Sequence, residues 1–174
     1  LLSIGAPAGV EETPVHKEGF EGIHFTLPDN WHGVLPIDEY RSRPIRYLEI
    51  GTYFGANLLH VANTYGAHPQ SSLHCIDPWE DYEDYSEYKG TQASTYESFL
   101  HNVEVSGTGN RLVVHRGFSH RVLPTLEDGS FDLIYVDGNH EPEAVLEDAV
   151  LSFRKLKPGG VLVFDDYGWG HAEL

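Results

Sequence analysis

Tyr47-Leu48-Glu49-Ile50-Gly51-Thr52-Tyr53-Phe54-Gly55 decides how the rest of the chain is read. An apolar run of strand character ends at Gly51. After Gly55 the residues Leu58, Leu59, Val61, Ala62 and Tyr65 recur as on one face of a helix. Gly51 permits the turn and lets backbone approach a ligand with no Cβ in the way. Gly55 allows close packing where the helix begins. The spacing is Gly-x-x-x-Gly, not the Gly-x-Gly-x-x-Gly of dinucleotide folds, and there is no P-loop lysine. The loop therefore suits a cofactor without phosphates, the alternative being a plain strand–glycine–helix turn.

Outward from this stretch, short apolar runs recur at Arg46–Ile50, Ser72–Ile76, Leu112–His115, Phe131–Val136 and Val161–Phe164. Helical patterns separate them. Tyr96, Phe99, Leu100 and Val103 give one apolar face. Val145, Leu146, Ala149, Val150, Phe153 and Leu156 give the clearest. The last helix carries Glu141, Pro142 and Glu143 at its start and Lys155 and Lys157 at its end, with Pro158-Gly159-Gly160 as the stop. Strands alternating with helices predict an α/β fold, a doubly wound and mostly parallel sheet. Residues 1–44 lack periodicity and read as an N-terminal arm with one short helix near Ile37–Arg41. Residues 45–174 form the core.

Carboxylates gather at the strand ends. Asp77 closes the second strand. Asp137 closes the fourth strand in Asp137-Gly138-Asn139-His140, and Asp165-Asp166 close the fifth. If those two strands are parallel neighbours, their carboxyl ends lie about 4.8 Å apart and the three carboxylates converge at the edge where open α/β sheets bind ligands. They then need a cation, shared protons or nearby positive groups, and no Lys or Arg lies within either motif. Oxygen-only ligands favour Mg²⁺, with Mn²⁺ or Ca²⁺ as alternatives; His140 and the other histidines keep Fe²⁺ or Zn²⁺ open. The bland alternative is one helix-capping Asp with the others facing water. The segment Asp77–Tyr88 interleaves six acids with Trp79, Tyr82, Tyr85 and Tyr88. It is either a solvated loop or a lid over the site.

Glu49-x-Gly51-x-x-x-Gly55 resembles the first motif of class I methyltransferases, whose Rossmann-like core binds S-adenosylmethionine. The resemblance implies that Glu49, Gly51, Thr52, Tyr53 and Gly55 hold the methionyl and ribose parts of that cofactor. Asp77, with Pro78 and Trp79, is implied at the ribose. Gly117-Phe118-Ser119 is similar to the family segment near the adenine, making Ser119 a candidate there, or else a helix N-cap. The pattern Asp137…Asp165-Asp166, an interval of 28 residues from Asp137 to Asp165, resembles metal-dependent O-methyltransferases of the catechol and macrolide-sugar types. It implies Mg²⁺ held by Asp137, Asp165 and Asp166, with Asp137 also beside the cofactor. Catechol-type enzymes place a lysine base three residues after the first Asp. This chain has His140 there, so His140 or Asp137 is the candidate catalytic base. Phe131 to Tyr167 also resembles a loosely defined bacterial-type methyltransferase family. The implied acceptor is a small hydroxylated molecule. Two other readings stay open: a metal-dependent hydroxylase or hydrolase on a related fold, and a non-catalytic cofactor-binding module.

Bulk properties narrow the partners. Eleven Lys and Arg against 27 Asp and Glu give a formal charge of −16, which repels phosphate backbones and argues against nucleic acid. No run approaches the roughly 20 apolar residues of a membrane span. Cys75 is the only cysteine, so no internal disulfide forms. Cys75 itself reads as core, and a reducing, cytoplasmic setting is expected. There is no methionine, which implies a trimmed or processed chain. Class I methyltransferases add two strands after the fifth, and this sequence stops just beyond it. It is therefore a minimal form, a cut chain, or a chain whose open edge another copy completes. His16, His24 and His32 read as surface residues of the arm, and Trp169 as either a substrate wall or packing.

Overall fold

The structure is a computed structural model that describes residues 19–23, 31, 33–81 and 86–165, with the side chain of Glu87 set aside. The elements run α1 (Ile37–Arg41), β1 (Arg46–Ile50), α2 (Ala56–Asn63), β2 (Ser72–Asp77), α3 (Gln92–Ser106), β3 (Leu112–Arg116), α4 (Ser119–Val122), β4 (Phe131–Val136), α5 (Pro142–Lys155) and β5 (Leu156–Phe164). All five strands are parallel in the order β3-β2-β1-β4-β5. Consecutive crossovers wind one way from β1 to β3 and the other way from β4 to β5. The order therefore reverses between β1 and β4, where such sheets open a ligand crevice.

Period-two alternation separates the two faces. Tyr47, Leu73, Cys75, Leu133 and Tyr135 point to one side. There they meet Leu58, Val61 and Ala62 of α2, Phe99 of α3 and Tyr40 of α1. Leu48, Ile50, Ile76, Ile134 and Val136 point to the other, against Leu123 and the half-buried Leu151 of α5. Cys75 is fully buried, as its place in a strand implied, and burial pushes its thiol up.

One helix, α5, buries a different face from the one the apolar pattern implied, whereas α3 packs Tyr96, Phe99 and Val103 on the core as read, with Leu100 the exception. On α5, Leu146, Val150 and Phe153 are 66%, 58% and 71% exposed, whereas Asp148, Ser152 and Lys155 are buried. The inward residues 148, 151, 152 and 155 follow helical spacing. Lys155 is accommodated because its Nζ donates to Leu126 O at 2.8 Å and to Asp128 Oδ1 at 2.5 Å. On α3, Leu100 is 45% exposed. The buried polar residue Asn102 instead donates to Glu21 O at 2.8 Å and Phe54 O at 2.9 Å, tying the 19–23 segment to the loop after β1.

Pro158-Gly159-Gly160 is not a helix stop followed by a loop. The helix passes directly into β5 at Leu156, and these residues lie inside the strand, where the register shifts between Phe131 and Leu133. Gly159 takes φ +81° there. An edge strand tolerates the proline because its missing N–H can face away from the ladder.

Candidate active site

Backbone hydrogen bonds continue the strand ladders past their last residues and bring the loops to one edge. Gly51 N donates to Ile76 O at 2.9 Å, Asp137 N to Ile50 O at 2.8 Å, Gly117 N to Asp77 O at 3.0 Å and Asp165 N to Val136 O at 3.0 Å. These loops surround a cavity of about 500 Å³, within the range of small-molecule and cofactor sites.

The glycine turn is required by packing. Gly51 takes φ +80°, and a Cβ there would lie 1.9 Å from the Asp137 carbonyl oxygen. The space a side chain would need is filled by the start of the β4–α5 loop, and Gly51 itself lines the cavity. Gly55 takes φ +86° as N-cap of α2. A Cβ there would meet the Phe99 ring at 3.0 Å, so Gly55 serves close packing and does not line the cavity.

Glu49, Thr52 and Tyr53 line the cavity. The Glu49 carboxyl is 1% exposed and accepts from Tyr47 Oη and Asn57 Nδ2, both at 2.7 Å. Burial pushes it up to about 7, against the pull of those two donors. Beside it, Thr52 Oγ1 is buried and makes no well-formed hydrogen bond. A buried hydroxyl without a partner is costly. Thr52 Oγ1 is itself closed off from the cavity; the polar residues that line the cavity here are Glu49, Asn57 and Asp77, whose donors and acceptors fit a cationic, hydroxylated ligand.

Asp77 organises backbone. Its Oδ2 accepts from Thr52 N and Tyr53 N, both at 2.9 Å, and its Oδ1 from Trp79 N at 2.8 Å. Burial nonetheless raises its carboxyl above the ordinary value. An ionised carboxylate has about four acceptor sites, so capacity remains for hydroxyls on the cavity side, which Asp77 and Pro78 line. Trp79 stands elsewhere. Its ring is 1% exposed and packs on Tyr96 and Phe99, with centroids at 4.8 Å for each pair. It supports the site from behind, where Nε1 donates to Tyr53 O at 3.0 Å. Tyr53 (φ 51°) and Trp79 (φ 43°) are the non-glycine residues with positive φ among those described. The strained backbone thus clusters at the site.

Ser119 lines the cavity with Phe118 and His120. It is the first residue of α4, and the N-cap is Phe118, so the N-cap alternative for Ser119 does not hold. At the opposite end, Asp137, Asn139, His140 and Asp165 share the wall with Tyr135. The Tyr135 phenol donates to Asp165 Oδ2 and lies 3.5 Å from Asp137 Oδ2. Burial, then the Asp137 charge, push that phenol far above its ordinary value. The strand ends therefore bring Asp137 and Asp165 together, as the spacing implied, around a tyrosine that read in the sequence as core. Asp166, Tyr167, Trp169, His16, His24, His32 and Tyr82–Tyr85 lie outside the described residues. No group of three metal-ligating side chains gathers among the described residues. Asp137 and Asp165 instead flank the Tyr135 hydroxyl.

Besides Tyr135, sequence reasoning missed Asn57, Tyr47 and Asn102. Asn57 sits eight residues after Glu49 on an unremarkable helical turn, and nothing in one sequence marks it.

Comparison with known proteins agrees with this geometry. The family model described as a methyltransferase domain matches residues 48–167. The chain is 31% identical over 125 residues to the O-methyltransferase hkm8 of Aspergillus hancockii, covering 72% of this chain and 44% of that protein. Among solved structures, the O-methyltransferase TomG of Streptomyces achromogenes, in complex with S-adenosylmethionine, is 29% identical at TM-score 0.55, covering 76% of this chain and 53% of that one. Cofactor-bound Rv0187 from MTB is 28% identical at TM-score 0.56, covering 74% and 53%. The chain spans 44% to 59% of the curated relatives it matches. With the β1 glycine turn, the strand order and the cavity all in place, residues 48–167 make this chain a member of the class I methyltransferase-domain family.

Proposed function

We propose that the chain is the catalytic domain of an S-adenosylmethionine-dependent O-methyltransferase acting on a small hydroxylated molecule with the help of a divalent cation, Mg²⁺ by donor chemistry. The observation that carries this reading is that Asp137 and Asp165 flank one hydroxyl in the same cavity that the Glu49–Gly55 turn lines. When bound, the cofactor supplies a methyl group on a cationic sulfur, and the cation supplies charge that lowers the pKa of an acceptor hydroxyl.

The protein's own residues do the rest. Glu49 and Asn57 take the amino-acid end, Asp77 the ribose hydroxyls, and Ser119 the base. Asp137 and Asp165, with Asp166, would hold the cation. An imidazole nitrogen of His140, or the Asp137 carboxylate, takes the acceptor's proton as its oxygen forms the bond to carbon and the carbon–sulfur bond breaks. Fixed orientation of the two reactants supplies much of the acceleration. The surplus of acidic residues suits a sulfonium and a metal and disfavours a polyanionic acceptor.

The test is methyl transfer to a panel of phenols and polyols, with Mg²⁺ and with chelator, on the wild-type chain and on Asp137→Ala and Asp165→Ala. Turnover should fall at least about a hundredfold in either variant or in chelator, while S-adenosylhomocysteine still binds. Full activity in chelator would remove the cation from the proposal. Absence of S-adenosylhomocysteine binding would remove the methyl transfer.

A further inference from the structure

Residues 19–23 are remote in sequence from every strand end, yet Gly22 lines the cavity beside Tyr53 and Phe54. One ridge of α3 holds this strap in place. Ser98 Oγ donates to Glu21 Oε2 at 2.7 Å, and His101 Nε2 donates to Gly19 O at 2.8 Å. Asn102, fully buried, makes a two-point contact with a single residue. Glu21 N donates to Asn102 Oδ1 at 2.7 Å, and Asn102 Nδ2 donates to Glu21 O at 2.8 Å. Positions 98, 101 and 102 lie on one helical face.

A primary amide has two protons to give. The second proton of Asn102 goes to Phe54 O, at 2.9 Å. The same side chain therefore grips the strap and the turn after β1. Asp77 and Trp79 already fix that turn through Thr52 N, Tyr53 N and Tyr53 O. Asn102 adds a bond that joins it to a second wall of the cavity. The strap also packs on the turn directly. Gly22 takes φ +68°, and a Cβ there would overlap the Phe54 ring. Packing alone would accept an apolar residue at position 102, and burying an amide there is costly unless every group is paired. The pairing found here spends both donors and the acceptor on aligning two segments.

We propose that Asn102 is a positioning residue that latches the 19–23 strap to the turn after β1, so that the two walls hold a cavity ligand as one unit. The inference rests on the cofactor reading given under Proposed function, which supplies the ligand. By linkage, a ligand that needs the strap in place also holds the strap in place.

The experiment compares the full wild-type chain with N102D, G22A and the double variant. N102D keeps the side-chain shape and loses both donors. G22A leaves Asn102 intact and lifts the strap from the Phe54 ring. Binding of S-adenosylhomocysteine is followed by surface plasmon resonance. Cleavage after Glu21 by a glutamate-specific protease is mapped by mass spectrometry, with and without S-adenosylhomocysteine, and each variant is melted. Each single variant should raise the dissociation rate about tenfold, the size expected from a lost buried hydrogen bond, with association changed less than about threefold. Saturating S-adenosylhomocysteine should slow cleavage after Glu21 at least about fivefold in the wild-type chain and less than about twofold in the variants. The double variant should lose no more than the weaker single one, because both act through one strap. Lower melting points with unchanged dissociation and unchanged protection would make Asn102 a packing residue and overturn the latch. Wild-type dissociation in G22A overturns it equally, and G22A carries the test if N102D does not fold. Failure of S-adenosylhomocysteine to bind the folded wild-type chain overturns the cofactor reading beneath it, and this inference too.

Discussion

Glu49 shows how one buried group couples the site to stability. Its carboxyl titrates near 7 in the folded chain, against about 4.3 when unfolded. Between these values the folded state binds more protons than the unfolded one, so stability falls as pH rises through that window. The full effect is up to about 4 kcal/mol. Glu49→Gln should therefore melt higher than the wild-type apo protein at pH 8, with the gap closing by pH 5. An unchanged difference across that range would remove Glu49 as the source. Gly51 is constrained differently. With φ +80° and the Asp137 carbonyl 1.9 Å from a would-be Cβ, Gly51→Ala must both adopt a strained backbone and displace the neighbouring loop. It should cost more than about 3 kcal/mol in chemical denaturation. A variant of wild-type stability would mean that the turn relaxes freely.

At the scale of elements, α2 and α5 contrast. The α2 pattern Leu58, Leu59, Val61 and Ala62 is buried as it reads. The α5 pattern is not, because Asp148, Ser152 and Lys155 find partners or space on the sheet side while Leu146, Val150 and Phe153 face outward. The difference should be measurable in urea. Phe99→Ala, on α3 and fully buried, should lose about 3–5 kcal/mol. Phe153→Ala should stay within about 0.5 kcal/mol. A large loss at Phe153 would indicate that the α5 stripe is covered in solution. The Pro-Gly-Gly run teaches the same lesson. Its composition announces a break, and the structure uses it as an irregularity within β5, because β4 pairs on both sides of it.

For the whole molecule, a formal charge of −16 over 174 residues sets up self-repulsion that folding concentrates. Raising NaCl from about 10 to 200 mM, which shortens the screening length to under about 10 Å, should raise the thermal midpoint. A fall would show that surface ion pairs such as Arg154–Asp128 outweigh the repulsion. No described helix is long and apolar enough to cross a membrane. The strands, their parallel character and the placing of Asp77, Asp137 and Asp165 at strand ends were legible in the sequence, whereas the strand order was not. Period-two apolar runs and a glycine turn are local properties, and parallel pairing then brings the strand ends to a common edge. What Tyr135, Asn57 and Asn102 do was decided only by tertiary structure. Each is an ordinary residue of its element, and each acquires its role from a partner that is distant in the chain or lies on another turn, through bonds that exist only once the layers have packed.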